Sequence, residues 1–320
     1  MQKGGVIRRL QAEKRLAKRS MTKYWELYLL LVPVIAYFII FNYFPMYGVQ
    51  IAFRDFNPVS GIWGSPWVGV KHFARFFKSY AFQRVITNTL TISFFQIVIT
   101  FPIPILLAIM MEELTFPRFK KSLQMITYAP HFISVVVLVG MMFNMFNMRT
   151  GIVNHFLVLL GMERINFFAE PGWFKPLFIG SDIWQNSGWS SIIYISAIAG
   201  IDQALYEAAR IDGANKVKRI WHVTIPSITP TIVILLIMKF GQVMNVAFMK
   251  ALLMQNTQNI SASEVISTYV YKVGLKGGDG IQGGQFSFST AVDLFNSVIN
   301  FALLLTANQI SKKLNDIALF

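Results

Sequence analysis

Ionisable side chains interrupt three of the long apolar stretches of this chain. They are Asp182, Lys239 and Asp293. A charge inside a membrane is costly and by default marks a transport pathway. Each residue also has a structural interpretation. Asp182 can cap a helix that starts after Gly180. Lys239 and Asp293 can form a buried ion pair, or Lys239 can extend its ammonium group to the membrane surface. The sequence leaves these alternatives open.

An aromatic and amide cluster follows Asp182, at Trp184, Gln185, Asn186 and Trp189. Indole rings present flat apolar faces with a polar edge, which suits sugar rings. Side-chain amides both donate and accept hydrogen bonds, which suits hydroxyl groups. Tryptophan also anchors proteins at the bilayer interface, and we expect that role for at least one of the two. The cluster is therefore a candidate carbohydrate pathway.

Gln242 and Asn245 follow Lys239 at a spacing of i and i+3. On a helix, that spacing places both on one face. They can line the same cavity, or they can join neighbouring helices through hydrogen bonds. With them, the candidate pathway residues are Asp182, Trp184, Gln185, Asn186, Trp189, Lys239, Gln242, Asn245 and Asp293.

A polar segment, residues 201–226, separates two apolar stretches and predicts a helix, a turn and a second helix. Residues 204–211 are mostly good helix formers, and Asp202 can cap their start. Gly213 permits the left-handed backbone that ends a helix. The result is a short helix at the membrane surface with a defined end.

The second helix of this segment is expected over about residues 215–223. Val217, Ile220 and Trp221 then share one face, and Pro226 suits the first turn of the next membrane helix. Taken alone, this pattern fits either an unpartnered amphipathic surface helix or a docking element for another protein.

Catalytic motifs are absent from the sequence. Its four histidines are scattered, and neither HExxH, GxSxG nor the ATP-binding GxxxxGK[ST] pattern occurs. Without cysteine, a thiolate metal site and a cysteine nucleophile are excluded. We expect a chain that is not an enzyme and binds no metal or cofactor itself. Uphill transport would then take its energy from a partner chain or an ion gradient.

The composition is that of a membrane protein. Of 320 residues, 54% are hydrophobic and 14% are charged, whereas a soluble domain has about 25% charged residues. A spanning helix needs about 20 apolar residues. Six such spans are expected, near residues 28–44, 86–111, 123–146, 177–200, 228–249 and 290–310. The predicted fold class is an all-α membrane protein with six transmembrane helices in residues 25–320.

Basic residues predict the orientation. Residues 1–24 contain eight Lys or Arg and one Glu, which places this segment in the cytoplasm. Six crossings return the C-terminus to the same side, with residues 201–226 also inside. No nucleic-acid-binding module accompanies the basic segment, so we expect a bilayer and no nucleic acid as its partner.

The predicted outer loops carry a surplus of positive charge. Residues 45–81, 147–176 and 250–286 contain ten Lys or Arg and five Asp or Glu, a difference of five. Such a surplus can attract an anionic substrate or an acidic face of a partner. Ordinary solvated loops explain it nearly as well.

Three motifs in residues 201–226 resemble the EAA loop of binding-protein-dependent ABC importer permeases. They are Glu207-Ala208-Ala209, Asp212-Gly213-Ala214 and Ile225-Pro226, with Ile225 where the family often has leucine. The resemblance implies a type I ABC importer permease fold, in which this loop docks on a separate ATPase subunit. Glu207 carries over as the docking acid and Gly213 as the helix-ending turn, with Ala208, Ala209 and Asp212 beside them.

The resemblance extends from about residue 25 to the end and favours the polysaccharide permease branch. Its further motifs are Trp67-Val68-Gly69, Tyr128-Ala129-Pro130, Phe240-Gly241 and Thr268-Tyr269-Val270-Tyr271. It implies import of oligosaccharides, often containing uronates, across the bacterial inner membrane by alternating access. The implied partners are a second permease, two ATPase subunits that bind ATP and Mg, and an extracytoplasmic binding protein. The alternative is an ion-coupled secondary transporter, which usually shows internal repeats, and none is seen.

Overall fold

The computed structural model describes residues 23–276 and 284–315. The predicted cytoplasmic segment 1–24 lies, apart from its last two residues, outside this part of the chain. The described chain forms two compact units, one ending at Val68 and the other beginning at Gly69.

Helices dominate both units. Apart from two isolated bridges, Arg54 with Trp67 and Asn57 with Gly61, the regular elements of the described residues are helical. In chain order we number the helices of seven or more residues α1 (Trp25–Phe53), α2 (Lys71–Lys78), α3 (Tyr80–Glu112), α4 (Pro117–Phe132), α5 (Val135–Met145), α6 (Ile152–Leu159), α7 (Pro171–Ala199), α8 (Gln203–Ile211), α9 (Lys216–Phe240), α10 (Phe248–Met254), α11 (Ile266–Lys276) and α12 (Phe286–Asn315).

Four helices in the described residues, α1, α3, α9 and α12, are long and apolar enough to cross a membrane. The pair α4 and α5 is apolar as well but is bent by 99° at a short break, so the spans number up to five. At 29 residues, α7 is long enough to cross, but it contains many polar residues and is not among the helices that are apolar enough. The count of six therefore stays a prediction.

The third predicted span, residues 123–146, is not one straight helix. The chain passes through a 3₁₀ turn at Ala129–Phe132, and α5 then begins anew. Ser134 caps this start, since its Oγ accepts a hydrogen bond from the amide of Val137 at 3.3 Å. Pro130 supplies no amide hydrogen, which favours a break at this point.

The helix that carries the fifth predicted span begins before residue 228 and ends before residue 249. A separate surface helix over residues 215–223 does not form, because residues from Lys216 run without interruption into α9 through a π-helical turn at Ile220–Thr224. At the other end, α9 stops at Phe240 instead of reaching residue 249. A Cβ at Gly241 would lie 2.4 Å from Cδ1 of Leu304 on α12, so this glycine permits the close approach of the two segments.

The second unit is built around α7, which contacts α3, α4 and α9. One apolar cluster surrounds its first half and includes Phe174, Phe178, Leu138 and Met254. Another surrounds its last turns and includes Tyr194, Ile198 and Ile228. At Gly188, α7 lies against the backbone of α4, where a Cβ would be 2.1 Å from the carbonyl oxygen of Thr127. The middle of α7 therefore cannot turn or shift freely against α4.

A buried carboxylate joins three segments of this unit. Glu264 is 3% exposed and forms ion pairs with Arg84 of α3 and, at 3.6 Å, with Lys272 of α11. Lys250, another charge of the predicted outer loops, is also buried. The outer-loop surplus counted from the sequence therefore includes charges that do not face solvent.

We expect Glu264→Gln to destabilise the protein by about 3 kcal/mol, because it removes the buried negative charge that pairs with Arg84 and Lys272. Their side chains are only 28% and 31% exposed. The unfolding temperature of the purified protein in detergent should fall by about 5–10 °C. The matched control is Glu163→Gln, the same change at an exposed loop position. Equal unfolding temperatures for the two variants would contradict this role.

Candidate functional site

A cavity of about 800 Å³, with polar and apolar residues in its wall, lies between α3, α7 and the end of α9. This volume is in the range of sites that take small ligands. Its polar lining comes from Gln96 and Thr100 in α3, from Ser187 and Ser190 in α7 and from six of the predicted pathway residues. Gln96 and Thr100 delimit a π-helical turn of α3, a feature that is frequent at functional sites, and neither residue was predicted from the sequence.

The structure brings six of the nine predicted pathway residues together around this cavity. They are Asp182, Asn186, Trp189, Lys239, Gln242 and Asn245. Asp182 lies in the middle of α7, so it does not cap a helix start. Among the lining residues that the structure describes, Asp182 and Lys239 are the charged ones.

The other three predicted pathway residues lie away from the cavity lining. Gln185 is buried, and its Nε2 donates a hydrogen bond to the carbonyl oxygen of Ile133 at 2.7 Å. Trp184 is half exposed on another face of α7. Asp293 lies on α12 and is exposed; although both residues are described, no ion pair joins it to Lys239. The predicted buried ion pair between Lys239 and Asp293 is therefore not formed.

Gln242 and Asn245 lie in the turn after α9, not on a helix as expected. Both nevertheless line the cavity. Asn245 also joins two segments, since its Oδ1 accepts a hydrogen bond from Nδ2 of Asn296 on α12 at 3.0 Å. The two interpretations of this pair, cavity lining and helix joining, thus apply together to Asn245.

Two hydrogen bonds in series connect Asp182, in the cavity wall, with His131, which lies outside the lining. Nδ2 of Asn186 donates to Oδ1 of Asp182 at 2.8 Å, and Oδ1 of Asn186 is 3.0 Å from Nδ1 of His131. The imidazole of His131 stacks on the indole of Trp189 with centroids 4.7 Å apart. His131 was missed because nothing in its own segment marks it, and its partners lie on another helix.

Lys250 places a buried positive charge behind this wall. Its Nζ donates a hydrogen bond to the carbonyl oxygen of Phe178 at 2.7 Å and lies 4.6 Å from the centroid of the Phe178 ring. Burial lowers the pKa of Lys250 to about 8, while the negative charge of Asp182 acts in the opposite direction. Lys250 and Asp182 therefore compensate one another in part.

The segment 201–226 forms a second candidate site, at the opposite end of α9 from Lys239. Asp202 caps α8 by accepting a hydrogen bond from the amide of Ala204 at 2.9 Å. Gly213 follows with φ of +76°, and the amide of Ala214 reaches back to the carbonyl oxygen of Ala209 at 2.9 Å. This is the left-handed helix end expected from the sequence.

The outer face of this segment is available to another surface. Glu207, Ala208, Asp212 and Gly213 are exposed, and Ala209 is half-buried. Ile211 is 87% exposed, which is unusual for an isoleucine at a helix end. On the inner face, the hydroxyl of Tyr206 is 2.9 Å from Oγ1 of Thr224, so α8 is attached to the first turns of α9. The residues that the structure describes contain no cluster of three or more metal-ligating side chains.

Long apolar helices around a cavity with polar and charged residues in its wall are typical of a membrane transport protein. The chain belongs to the family of binding-protein-dependent transport system inner membrane components, whose family model matches residues 101–315. It is therefore a permease component of an ABC importer, as its resemblance to that family predicted, and this assignment takes the place of the ion-coupled alternative.

Relatives over nearly the full length support this assignment. The chain is 41% identical to the polygalacturonan/rhamnogalacturonan transport system permease protein YteP of Bacillus subtilis (strain 168), covering 97% of this chain and 94% of that protein. It is 40% identical to Protein LplB of the same organism, covering 92% and 91%. It is 38% identical to a chain of a bacterial ABC transporter involved in the import of the acidic polysaccharide alginate, with a TM-score of 0.85 over 94% of this chain and 99% of that one.

Proposed function

We propose that this permease carries acidic oligosaccharides of the pectin or alginate type across the bacterial inner membrane by alternating access. The observation that carries the proposal is the cavity: it combines the indole of Trp189, the amides of Asn186, Gln242 and Asn245, and the ammonium of Lys239. The relatives named for polygalacturonan and for alginate support the choice of an acidic cargo.

Each group of the cavity has a chemical counterpart in such a cargo. A sugar ring can stack on an indole face, and the amides can pair with hydroxyl groups. The ammonium of Lys239 can pair with a uronate carboxylate. Asp182 would oppose an anion, but its carboxylate accepts from Asn186 and is partly compensated by Lys250. Lys239 is then the charged side chain of the cavity that pairs with the acidic cargo.

The finer topology is part of the proposal. With α7 as a further span, the crossings are α1, α3, the pair α4 and α5, α7, α9 and α12, which makes six. Residues 201–226 and both termini then face the cytoplasm, in agreement with the basic segment 1–24. The exposed apolar side chains of α1, such as Leu30 and Phe44, fit a helix in contact with lipid.

Residues 201–226 would act as the coupling loop. We infer that α8 docks on one of two ATPase subunits, which hold ATP and Mg, through Glu207, Ala208 and the exposed Ile211 at its end. Ala209, Asp212 and Gly213 shape the end of that helix. A second, homologous permease would complete the cavity, and an extracytoplasmic binding protein would deliver the cargo. A bacterial alginate ABC transporter has been crystallised with an alginate pentasaccharide-bound periplasmic protein, which supports the last of these partners.

The test is uptake by the complete complex in proteoliposomes, with ATP inside and the binding protein loaded with trigalacturonate outside. Wild type should take up trigalacturonate only when ATP is hydrolysed. Uptake driven by an ion gradient alone, or no uptake of trigalacturonate or of an alginate trisaccharide, would overturn the proposal.

Lys239→Gln should reduce the amount of trigalacturonate taken up per ATP about tenfold or more, because a charge-assisted hydrogen bond is worth about 1.5–3 kcal/mol. Stimulation of the ATPase by the binding protein should remain. Lys239→Arg keeps the charge and should retain most uptake, and Lys78→Gln, on the exposed face of α2, should have no effect. If Lys239→Gln takes up trigalacturonate at the wild-type level, Lys239 is not part of the pathway.

A further inference from the structure

We propose that His131 is a positioning residue of the transport cavity, and that it fixes both the amide of Asn186 and the indole of Trp189 in the arrangement that meets the cargo. The inference rests on the proposed function, since the cavity must be the pathway for its wall to matter in transport. His131 itself is not among the lining residues, so it acts through the two residues that are.

The direction of the hydrogen bonds determines which nitrogen of His131 carries a proton. Nδ2 of Asn186 donates a hydrogen bond to Oδ1 of Asp182 at 2.8 Å, since an amide nitrogen donates and a carboxylate oxygen accepts. Oδ1 of Asn186 is then the atom 3.0 Å from Nδ1 of His131. An amide oxygen only accepts, so Nδ1 of His131 must be the donor. A neutral His131 is therefore the Nδ1–H tautomer.

The imidazole also fixes the indole. The rings of His131 and Trp189 are nearly parallel, at 3°, with centroids 4.7 Å apart. Phe132 meets the same indole edge to face at 5.4 Å. One face of Trp189 is thereby covered, and the indole presents to the cavity the surface that the imidazole leaves free. This defines where a sugar ring can stack.

His131 is itself held in place at the break between α4 and α5. Gln185 of α7 donates to the carbonyl oxygen of Ile133, two residues further on, at 2.7 Å. The break therefore contacts α7 through Gln185 and through the pair His131 and Asn186. This explains why Gln185, expected in the pathway, is buried: it holds the segment that carries the positioning histidine.

Two substitutions separate the two contacts of His131. His131→Asn places an amide donor near the position of Nδ1 but removes the stacked ring. His131→Phe keeps a flat ring against Trp189 but removes the donor. His131→Ala removes both. Each is tested in the complete complex, with trigalacturonate uptake and ATP hydrolysis measured in the same proteoliposomes.

His131→Ala should lower uptake per ATP about tenfold, while stimulation of the ATPase by the loaded binding protein stays within about twofold of wild type. His131→Asn and His131→Phe should each recover part of the loss, about threefold. A merely structural role would reduce assembly and ATP hydrolysis together with uptake, and that result would overturn the proposal. So would wild-type uptake per ATP in all three variants.

A second measurement is made on the wild-type complex, and a variant serves only to assign the signal. In wild-type complex carrying ¹⁵N-labelled histidine, solid-state NMR should show a protonated Nδ1 for His131, identified by the signal that disappears in His131→Asn. An unprotonated Nδ1 would overturn the hydrogen-bond chain. If wild type fails to take up any acidic oligosaccharide, the proposed cargo is wrong; if it succeeds and the histidine variants match it, only the inference on His131 is wrong.

Discussion

Uptake should fall by at least about a hundredfold when Gly213 is replaced with proline, while the permease still inserts and assembles. Gly213 has φ of +76°, whereas proline fixes φ near −65°. Its amide also donates to the carbonyl oxygen of Arg210 at 3.0 Å, and proline has no amide hydrogen. Proline therefore changes the backbone conformation at the end of α8, beside the proposed docking face. ATP hydrolysis should then no longer drive uptake.

A matched control for this substitution exists in the same chain. Gly161 has φ of +79°, donates to the carbonyl oxygen of Val158 at 2.9 Å, and is followed by an amide that reaches back to Leu157 at 2.9 Å. Gly161→Pro thus breaks the same kind of turn outside residues 201–226. It should lower stability but leave uptake per ATP near wild type. Uncoupling by both variants, or by neither, would contradict a specific coupling role for Gly213.

Gly213→Ala distinguishes backbone strain from loss of the hydrogen bond. A residue with a Cβ in the left-handed region costs about 1–2 kcal/mol, but the amide is kept, and a Cβ at Gly213 meets no atom within 4 Å. We expect only a partial loss of uptake, measured in the same proteoliposomes, between wild type and Gly213→Pro.

The features that the sequence predicted well are local ones. The cap at Asp202 and the turn at Gly213 depend on residues within a few positions of each other, so their chemistry can be read directly from the chain. The same holds for the apolar length of α3 and α12. By contrast, the close approach of Gly241, just after the end of α9, to Leu304 joins residues far apart in sequence.

The cavity residues show the same difference between features set by local sequence and features set by distant contacts. Asn186, Trp189 and Lys239 were predicted because polar and aromatic residues stand out in an apolar stretch. Gln185 stands out equally, yet its partner is the carbonyl oxygen of Ile133, at the break between α4 and α5. His131 was missed because its hydrogen bond to Asn186 spans 55 positions. Which polar residue faces the cavity depends on how the helices pack, and one sequence does not contain that information.

The second large effect is expected for Gly188→Ala, which should destabilise the permease and abolish uptake. A Cβ at this position would lie 2.1 Å from the carbonyl oxygen of Thr127 and 2.5 Å from its carbonyl carbon. These are backbone atoms of α4, so no side-chain rotation can relieve the clash. The two helices must separate, and overpacking of this kind costs about 1–3 kcal/mol or more.

Gly180→Ala is the control, because it makes the same change on the same helix where a Cβ would meet nothing within 4 Å. Alanine there should be neutral or slightly stabilising, since it favours helix over glycine by about 0.8–1.0 kcal/mol. Gly188→Ala should instead lower the unfolding temperature and move α4 away from α7. His131 lies one turn beyond Thr127, so this shift also separates His131 from Asn186 and Trp189, and uptake should be lost even in the fraction that remains folded. Equal stability and uptake for the two variants would show that α4 and α7 do not pack this closely in the membrane.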